Sequence, residues 1–135
     1  MIVLSNSAAQ TIGVGQSVVF NTVVTKTGCA EHHRGNSSSV QLCANNGIYS
    51  LDFTANITNP DGTAPVQIAI TSSGDILQET TMISTAAQSA YNNVSAKTFI
   101  KTSCCGSDNR ISVTNTGTVP LTIAANSALA IKREG

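Results

Sequence analysis

Gly47-Ile48-Tyr49-Ser50-Leu51-Asp52-Phe53-Thr54-Ala55-Asn56-Ile57-Thr58 decides the fold of this chain. Tyr49, Leu51, Phe53, Ala55 and Ile57 alternate with Ser50, Asp52, Thr54 and Asn56. Successive side chains of a strand point to opposite faces, so the pattern predicts a long strand with the first set in a core and the second outside it. Working outward, Phe20-Asn21-Thr22-Val23-Val24-Thr25-Lys26 reads as the end of a strand over Ser17–Lys26, closed by Thr27-Gly28. Further strands are expected at Ile2–Ser5, Ser38–Leu42, Val66–Ser72, Ile76–Ser84, Val94–Lys101, Arg110–Asn115, Leu121–Ala124 and Ala128–Lys132. Asn59-Pro60-Asp61-Gly62 reads as a turn in which Pro60 fixes φ and Gly62 supplies a positive φ. Ser73-Gly74-Asp75 and Thr116-Gly117-Thr118 are turn signals of the same kind. Helical patterning is almost absent. The alanines near Tyr91 belong to a stretch that reads as a loop.

Short strands at roughly ten-residue spacing, separated by turn signals, predict an all-β sandwich or barrel. At 135 residues the chain has room for one domain, residues 1–135. Charged residues make up only 10% of it and balance to zero, while Thr, Ser, Asn, Ala and Val dominate. This composition excludes a disordered chain, which needs high net charge and few β-branched residues. Seven basic residues balanced by seven acidic ones give no basic patch, so no nucleic-acid partner is expected. No stretch reaches the ~18 apolar residues of a membrane span. Met1-Ile2-Val3-Leu4-Ser5 lacks the charged and apolar regions of a secretory signal, so synthesis in a cytoplasm is expected.

Candidate chemistry is sparse. Cys29, Cys43, Cys104 and Cys105 could form a disulfide framework, in which Cys43 would pair with Cys104 or Cys105 because a vicinal bridge is strained. A reducing compartment would instead leave the thiols free. Cys29-x-x-His32-His33 has zinc-type ligands, but not at C-x-x-C spacing. Strand directions put Cys29 at one end of the sandwich and Cys43 and Cys104 at the other, so no metal is expected. A nucleophile needs a base within reach and a third group to orient it. Both histidines share one loop, and the carboxylates Glu31, Asp52, Asp61, Asp75, Glu79, Asp108 and Glu134 show no paired spacing. No catalytic residue and no cofactor are expected. Gly13-x-Gly15 lacks the further glycine and the helix of a phosphate loop and reads as a bend. With no Trp and two Tyr, a sugar-stacking platform has little support. Tyr91 is the aromatic best placed for exposure, although packing with a wet hydroxyl is its expected state.

Three local features together resemble the C1q/TNF-like jelly-roll superfamily. They are Phe20-Asn21-Thr22-Val23-Val24 with Gly28, the pair Gly35–Leu42 and Asn46–Leu51, and the ending Leu129-Ala130-Ile131-Lys132-Arg133. The chain is similar in character to small virion proteins of phages and to the terminal domains of bacterial collagen-like surface proteins. The resemblance implies a jelly-roll β-sandwich that forms a homotrimer, with Ile48, Ser50, Asp52 and Thr54 facing the threefold axis. That face reads as polar, held by Ile48, hydrogen bonds and water rather than by aromatics. The function it implies is non-enzymatic. The expected role is a phage head decoration (cement) protein at the virion surface, docked on the major capsid protein or another virion protein. A receptor- or glycan-binding head of a fibre or spike is the alternative. A bacterial or spore surface display domain is a third reading, disfavoured by the absence of a collagen stalk.

Overall fold

The computed structural model describes residues 1–28, 31–33, 35, 37–43, 47–62, 64–85, 90–102 and 109–134. Among these the strands are β1 (Ile2–Ser5), β2 (Gln10–Ile12), β3 (Thr22–Lys26), β4 (Glu31–His32), β5 (Val40–Leu42), β6 (Ile48–Thr58), β7 (Val66–Ser72), β8 (Asp75–Ile76), β9 (Met82–Ser84), β10 (Asn92–Lys101), β11 (Arg110–Asn115), β12 (Leu121–Ile123) and β13 (Ala128–Arg133). All pairings between them are antiparallel.

The strands form two sheets. The first runs β2-β12-β6-β13-β1-β3, with β10 along the other edge of β6; the second runs β4-β5-β11-β7-β8, with β9 also on β7. The first sheet is built around β6. β10 pairs with it from Ile48 to Ile57, and β13 and then β12 cover its opposite edge. The predicted alternation holds: Tyr49, Leu51, Phe53, Ala55 and Ile57 are buried, whereas Ile48, Asp52, Thr54 and Asn56 are exposed. The inward residues of the first sheet meet Ile68, Ile70, Ile111 and Val113 of the second in one hydrophobic core. Each fully buried side chain of this size stabilises by roughly 1.5–3 kcal/mol relative to exposure.

Four expectations are corrected. The stretch Ser17–Lys26 is not one strand. Ser17 and Val18 pair with β11 in the second sheet, through the Ser17–Thr114 bridge and the bond from Val18 N to Val113 O. Only Thr22–Lys26 joins the first sheet, beside β1. The chain changes sheets between them, and Phe20, fully buried, plugs the core at the crossing. The Gln10 amide closes the edge left at Val19, donating to its carbonyl at 2.5 Å and accepting from its N–H at 3.0 Å.

Ile76–Ser84 is likewise broken into β8, a 3-10 turn over Gln78–Thr80 and β9. The buried Thr80 hydroxyl accepts from Ile70 N at 2.9 Å and donates to Leu77 O at 2.7 Å, so a side chain takes the place of ladder bonds there. Gly62 does not supply a positive φ: among the described residues the positive-φ glycines are Gly15, Gly28 and Gly74. The turn is closed instead by Asn59 Oδ1, which accepts from Asp61 N at 2.9 Å, an Asx turn. Finally, Gln10–Ile12 and Glu31–His32 are strands that the sequence reading leaves out, so His32 stands on a strand rather than in the loop expected for both histidines.

The hairpin from β7 to β8 fits its sequence signal. Ser73 and Gly74 take φ of 50° and 89°, the two consecutive left-handed residues that let a two-residue turn match the twist of its strands.

Buried polar corners fasten the loops. Asn115 donates to the carbonyls of Ile12 and Val119, both at 3.0 Å, and accepts from Gly117 N at 3.0 Å. Asn115→Leu strands these three backbone groups. The expected cost is about 1–3 kcal/mol, read as a lower urea midpoint with an unchanged slope.

Candidate functional site

The first candidate surface is the outer face of the first sheet. Ile48, Asp52 and Thr54 are exposed on it and Ser50 is half-buried. Residues directly opposite in a ladder share a face, so the register identifies the rest. Lys101, Phe99, Lys97 and Ser95 lie opposite Ile48, Ser50, Asp52 and Thr54 on β10. Lys132, Ala130 and Ala128 lie opposite Ser50, Asp52 and Thr54 on β13, and Val3 of β1 lies opposite Ala130. Ser50 Oγ hydrogen-bonds Glu134 Oε1 at 3.1 Å.

This face carries an aromatic anchor that the sequence reading did not anticipate. Phe99 is 58% exposed and Ile48 43% exposed. The Lys97 ammonium sits 5.7 Å from the centre of the Phe99 ring, a cation–π contact at an exposed site. The expectation of a face without aromatics is therefore corrected. A signal was present: Val94, Ala96 and Ile100 are apolar at even positions of β10, which turns the odd-numbered Phe99 outward. Ser50, Lys97, Lys101 and Lys132 neighbour Phe99, and farther across the face Val3, Ala128 and Ala130 are half-buried. Tyr91, for which packing was expected, is 47% exposed.

The outer face of the second sheet is different in chemistry. His32 of β4 and Arg110 of β11 both lie opposite Gln41 of β5, so the three form one row across the sheet. With Ser37 and Ser39 they line a polar hollow of about 280 Å³. Farther along β11, Ser112 and Thr114 line a second hollow of about 520 Å³ with Ser17 and Thr71, between Val14 and Ile76.

The two histidines have separate roles. His32 is exposed, and His33 is half-buried. The ring of His33 lies between two carbonyls, with Nδ1 2.9 Å from Ser39 O and Nε2 3.0 Å from Phe20 O. Carbonyl oxygens only accept, so both bonds form at once only when both ring nitrogens carry protons. This clasp ties the loop before β5 to the sheet crossing at Phe20. His33→Ala is expected to cost about 1–3 kcal/mol in urea melts, with part regained by His33→Gln, which keeps one donor.

Cys43 is exposed and free, its Sγ 3.9 Å from Gln41 O. Cys29, Cys104, Cys105 and Asp108 lie outside the described residues. The expectation that put Cys29 at one end and Cys43 and Cys104 at the other therefore falls outside the described residues. Glu31 lies opposite Leu42, Leu42 N bonds Asn109 O at 2.8 Å, and Thr102 N bonds Gly47 O at 2.9 Å. Among the described residues no three His, Cys, Asp or Glu side chains gather where a metal could sit. The buried Glu31 carboxylate pairs with the Met1 ammonium at 3.1 Å. No helix among the described residues is long and apolar enough to cross a membrane.

No protein-family model and no curated protein sequence matches the chain. Solved structures do. Eiger TNF from S. frugiperda aligns with a TM-score of 0.73 and 9% identity over 99% of this chain and 91% of that one. The globular domain of the zebrafish complement 1qA protein aligns with a TM-score of 0.62 and 10% identity over 98% of each chain. The vertex protein P5 of PRD1 aligns with a TM-score of 0.55 and 15% identity over 99% of this chain and 71% of that one. With its two antiparallel sheets, the central β6 and these likenesses along nearly its whole length, the chain has the C1q/TNF-like jelly-roll fold.

Proposed function

We propose that this protein is a non-enzymatic structural module that assembles as a homotrimer and decorates the head of a phage particle, docked on its major capsid protein. The observation that carries the reading is the outer face of the first sheet, where Phe99 and Ile48 stand exposed on neighbouring strands, with half-buried Val3, Ala128 and Ala130 farther across the same face. Isolated exposed apolar residues need no explanation, but an aromatic and an isoleucine on a shared face suit an interface core with a polar rim. In the trimer Ile48, Ser50, Asp52 and Thr54 face the threefold axis, with Phe99 beside them. Lys97, Lys101 and Lys132 form the rim. Closed cyclic symmetry buries one copy of this face per protomer and leaves none open.

The likeness to PRD1 vertex protein P5 supports a place in a virion. The near-neutral, hydroxyl-rich surface suits a hydrated outer coat and gives no long-range steering toward a charged partner. Purified particles test the role. A decoration protein is present in many copies, and particles lacking it lose resistance to heat while still adsorbing to the host. Particles that keep their heat resistance and lose adsorption overturn this reading in favour of a receptor- or glycan-binding head. That second reading has an observation of its own, the two hollows on the outer face of the second sheet, one polar and one of hydroxyls between apolar walls.

A further inference from the structure

The outer face of the second sheet places charge at one end and uncharged hydroxyls at the other. Arg110, Ser112 and Thr114 alternate outward on β11, and Ile111 and Val113 between them are buried. At ~3.4 Å per residue, Arg110 and Thr114 stand roughly 13–14 Å apart, and the two hollows lie end to end along the same strand. At the first end, His32 and Arg110 flank Gln41, with Ser37 and Ser39 beside them. A guanidinium carries five N–H donors, so Arg110 can hold an oxyanion while keeping a partner within the protein. At the other end Thr114 Oγ1 is 2.9 Å from Ser17 Oγ and 3.3 Å from Thr71 Oγ1, and Thr71 Oγ1 lies 3.3 Å from Ser112 O. Each hydroxyl has two lone pairs and one proton, so this chain still offers acceptors to a ligand. Among the described residues no titratable group lines this end, and Val14 and Ile76 give it two apolar walls.

We propose that this trough binds an anionic carbohydrate, with the carboxylate or phosphate on Arg110 and His32 and the polyol on Ser112, Thr114, Thr71 and Ser17. The proposal goes beyond the decoration role and depends neither on it nor on self-association, which uses the opposite sheet. Three features select the class. One arginine and one histidine match a single oxyanion, not the run of phosphates of a nucleic acid. Uncharged hydroxyls match a polyol, and the two walls match the C–H face of a sugar ring. A trough of this length fits two residues of a glycan better than one. No aromatic lines either hollow, so hydrogen bonds and charge do the binding, and affinity for a small fragment falls near the millimolar range.

The shared chemistry, an oxyanion on a polyol, has two sources, a uronic acid and a sugar-alcohol phosphate. Backbone amide NMR titrations of the intact protein with glucuronic acid, ribitol 5-phosphate, glucose, ribitol and inorganic phosphate separate them. At least one anionic polyol is expected to shift the amides of Gln41, Arg110, Ser112 and Thr114 and to bind at least tenfold tighter than its neutral counterpart; the tighter of the two names the source. Arg110→Ala is expected to lose at least tenfold and Arg110→Lys to regain part. Thr114→Val should weaken the neutral and anionic ligands alike. Dispersed amide spectra show that each variant is folded. Inorganic phosphate binding as tightly as ribitol 5-phosphate overturns the proposal, because the hydroxyl end then contributes nothing. Equal binding of neutral and anionic sugars also overturns it, while leaving the glycan-binding reading in place. So does an absence of shifts, which leaves the decoration role to the particle experiment.

Discussion

Phe53→Ala abolishes the stable protomer. Phe53 is fully buried at the middle of β6, opposite Ala96 of β10 and Leu129 of β13, and faces the second sheet. Truncation removes most of a phenyl ring from a site enclosed by strands on both sides, where backbone pairing prevents collapse. The expected cost is about 3–5 kcal/mol. A domain of this size has only about 5–15 kcal/mol in total, so the variant is largely unfolded or melts about 10–20 °C lower. Circular dichroism melts and urea titrations read this directly. A Phe53→Ala protein that melts with the parent means that the register of β6 is wrong by one residue. The internal control is Phe99→Ala. That residue lies on β10 with the opposite parity, and in an isolated protomer its loss is expected to stay within about 0.5 kcal/mol.

Phe99→Lys separates assembly from folding. If the outer face of the first sheet is the trimer interface, the substitution removes its aromatic anchor and adds a fourth cation to Lys97, Lys101 and Lys132 on the same face. Central aromatic anchors contribute about 2–4 kcal/mol when lost, which weakens association by roughly 30- to 1000-fold. Light scattering at micromolar concentration is expected to give the parent a mass three times its 13.9 kDa protomer and the variant a mass of one protomer, with the same circular dichroism spectrum. Val3→Asp, on the same face across β13, acts in the same direction. A parent that scatters as a monomer at that concentration sinks the homotrimer. A Phe99→Lys trimer moves the interface to another surface.

Much of the fold was legible because a strand reports its own environment. In β11, β13 and Ile48–Ile57 of β6 burial follows residue type and parity, whereas in β7 Ala69 and Thr71 are buried along with Ile68 and Ile70. Tyr49, Leu51 and Phe53 could be assigned to a core without knowing what they pack against. Turn chemistry was legible in part: Ser73-Gly74 takes the left-handed pair that its small residues allow, whereas the turn expected to use a positive φ at Gly62 is closed by the Asn59 side chain. Where the reading failed, the deciding partner was distant in sequence. Ser17–Lys26 looks like one strand, yet its two halves serve different sheets, because β11 captures Ser17 and Val18 while β1 captures Thr22–Lys26.

The candidate surfaces divide in the same way. By itself the sequence determined an all-β domain, the inward set of β6, and Ile48, Asp52 and Thr54 as an outward set. Only the tertiary structure decided that Phe99 stands opposite Ser50 on that face, and that His32, Gln41 and Arg110 align in one row. Alternation tells each side chain which way to point relative to its own backbone, a matter of covalent geometry. Which side chains then become neighbours depends on strand register between segments tens of residues apart, and that is set by how two whole sheets close over a shared core.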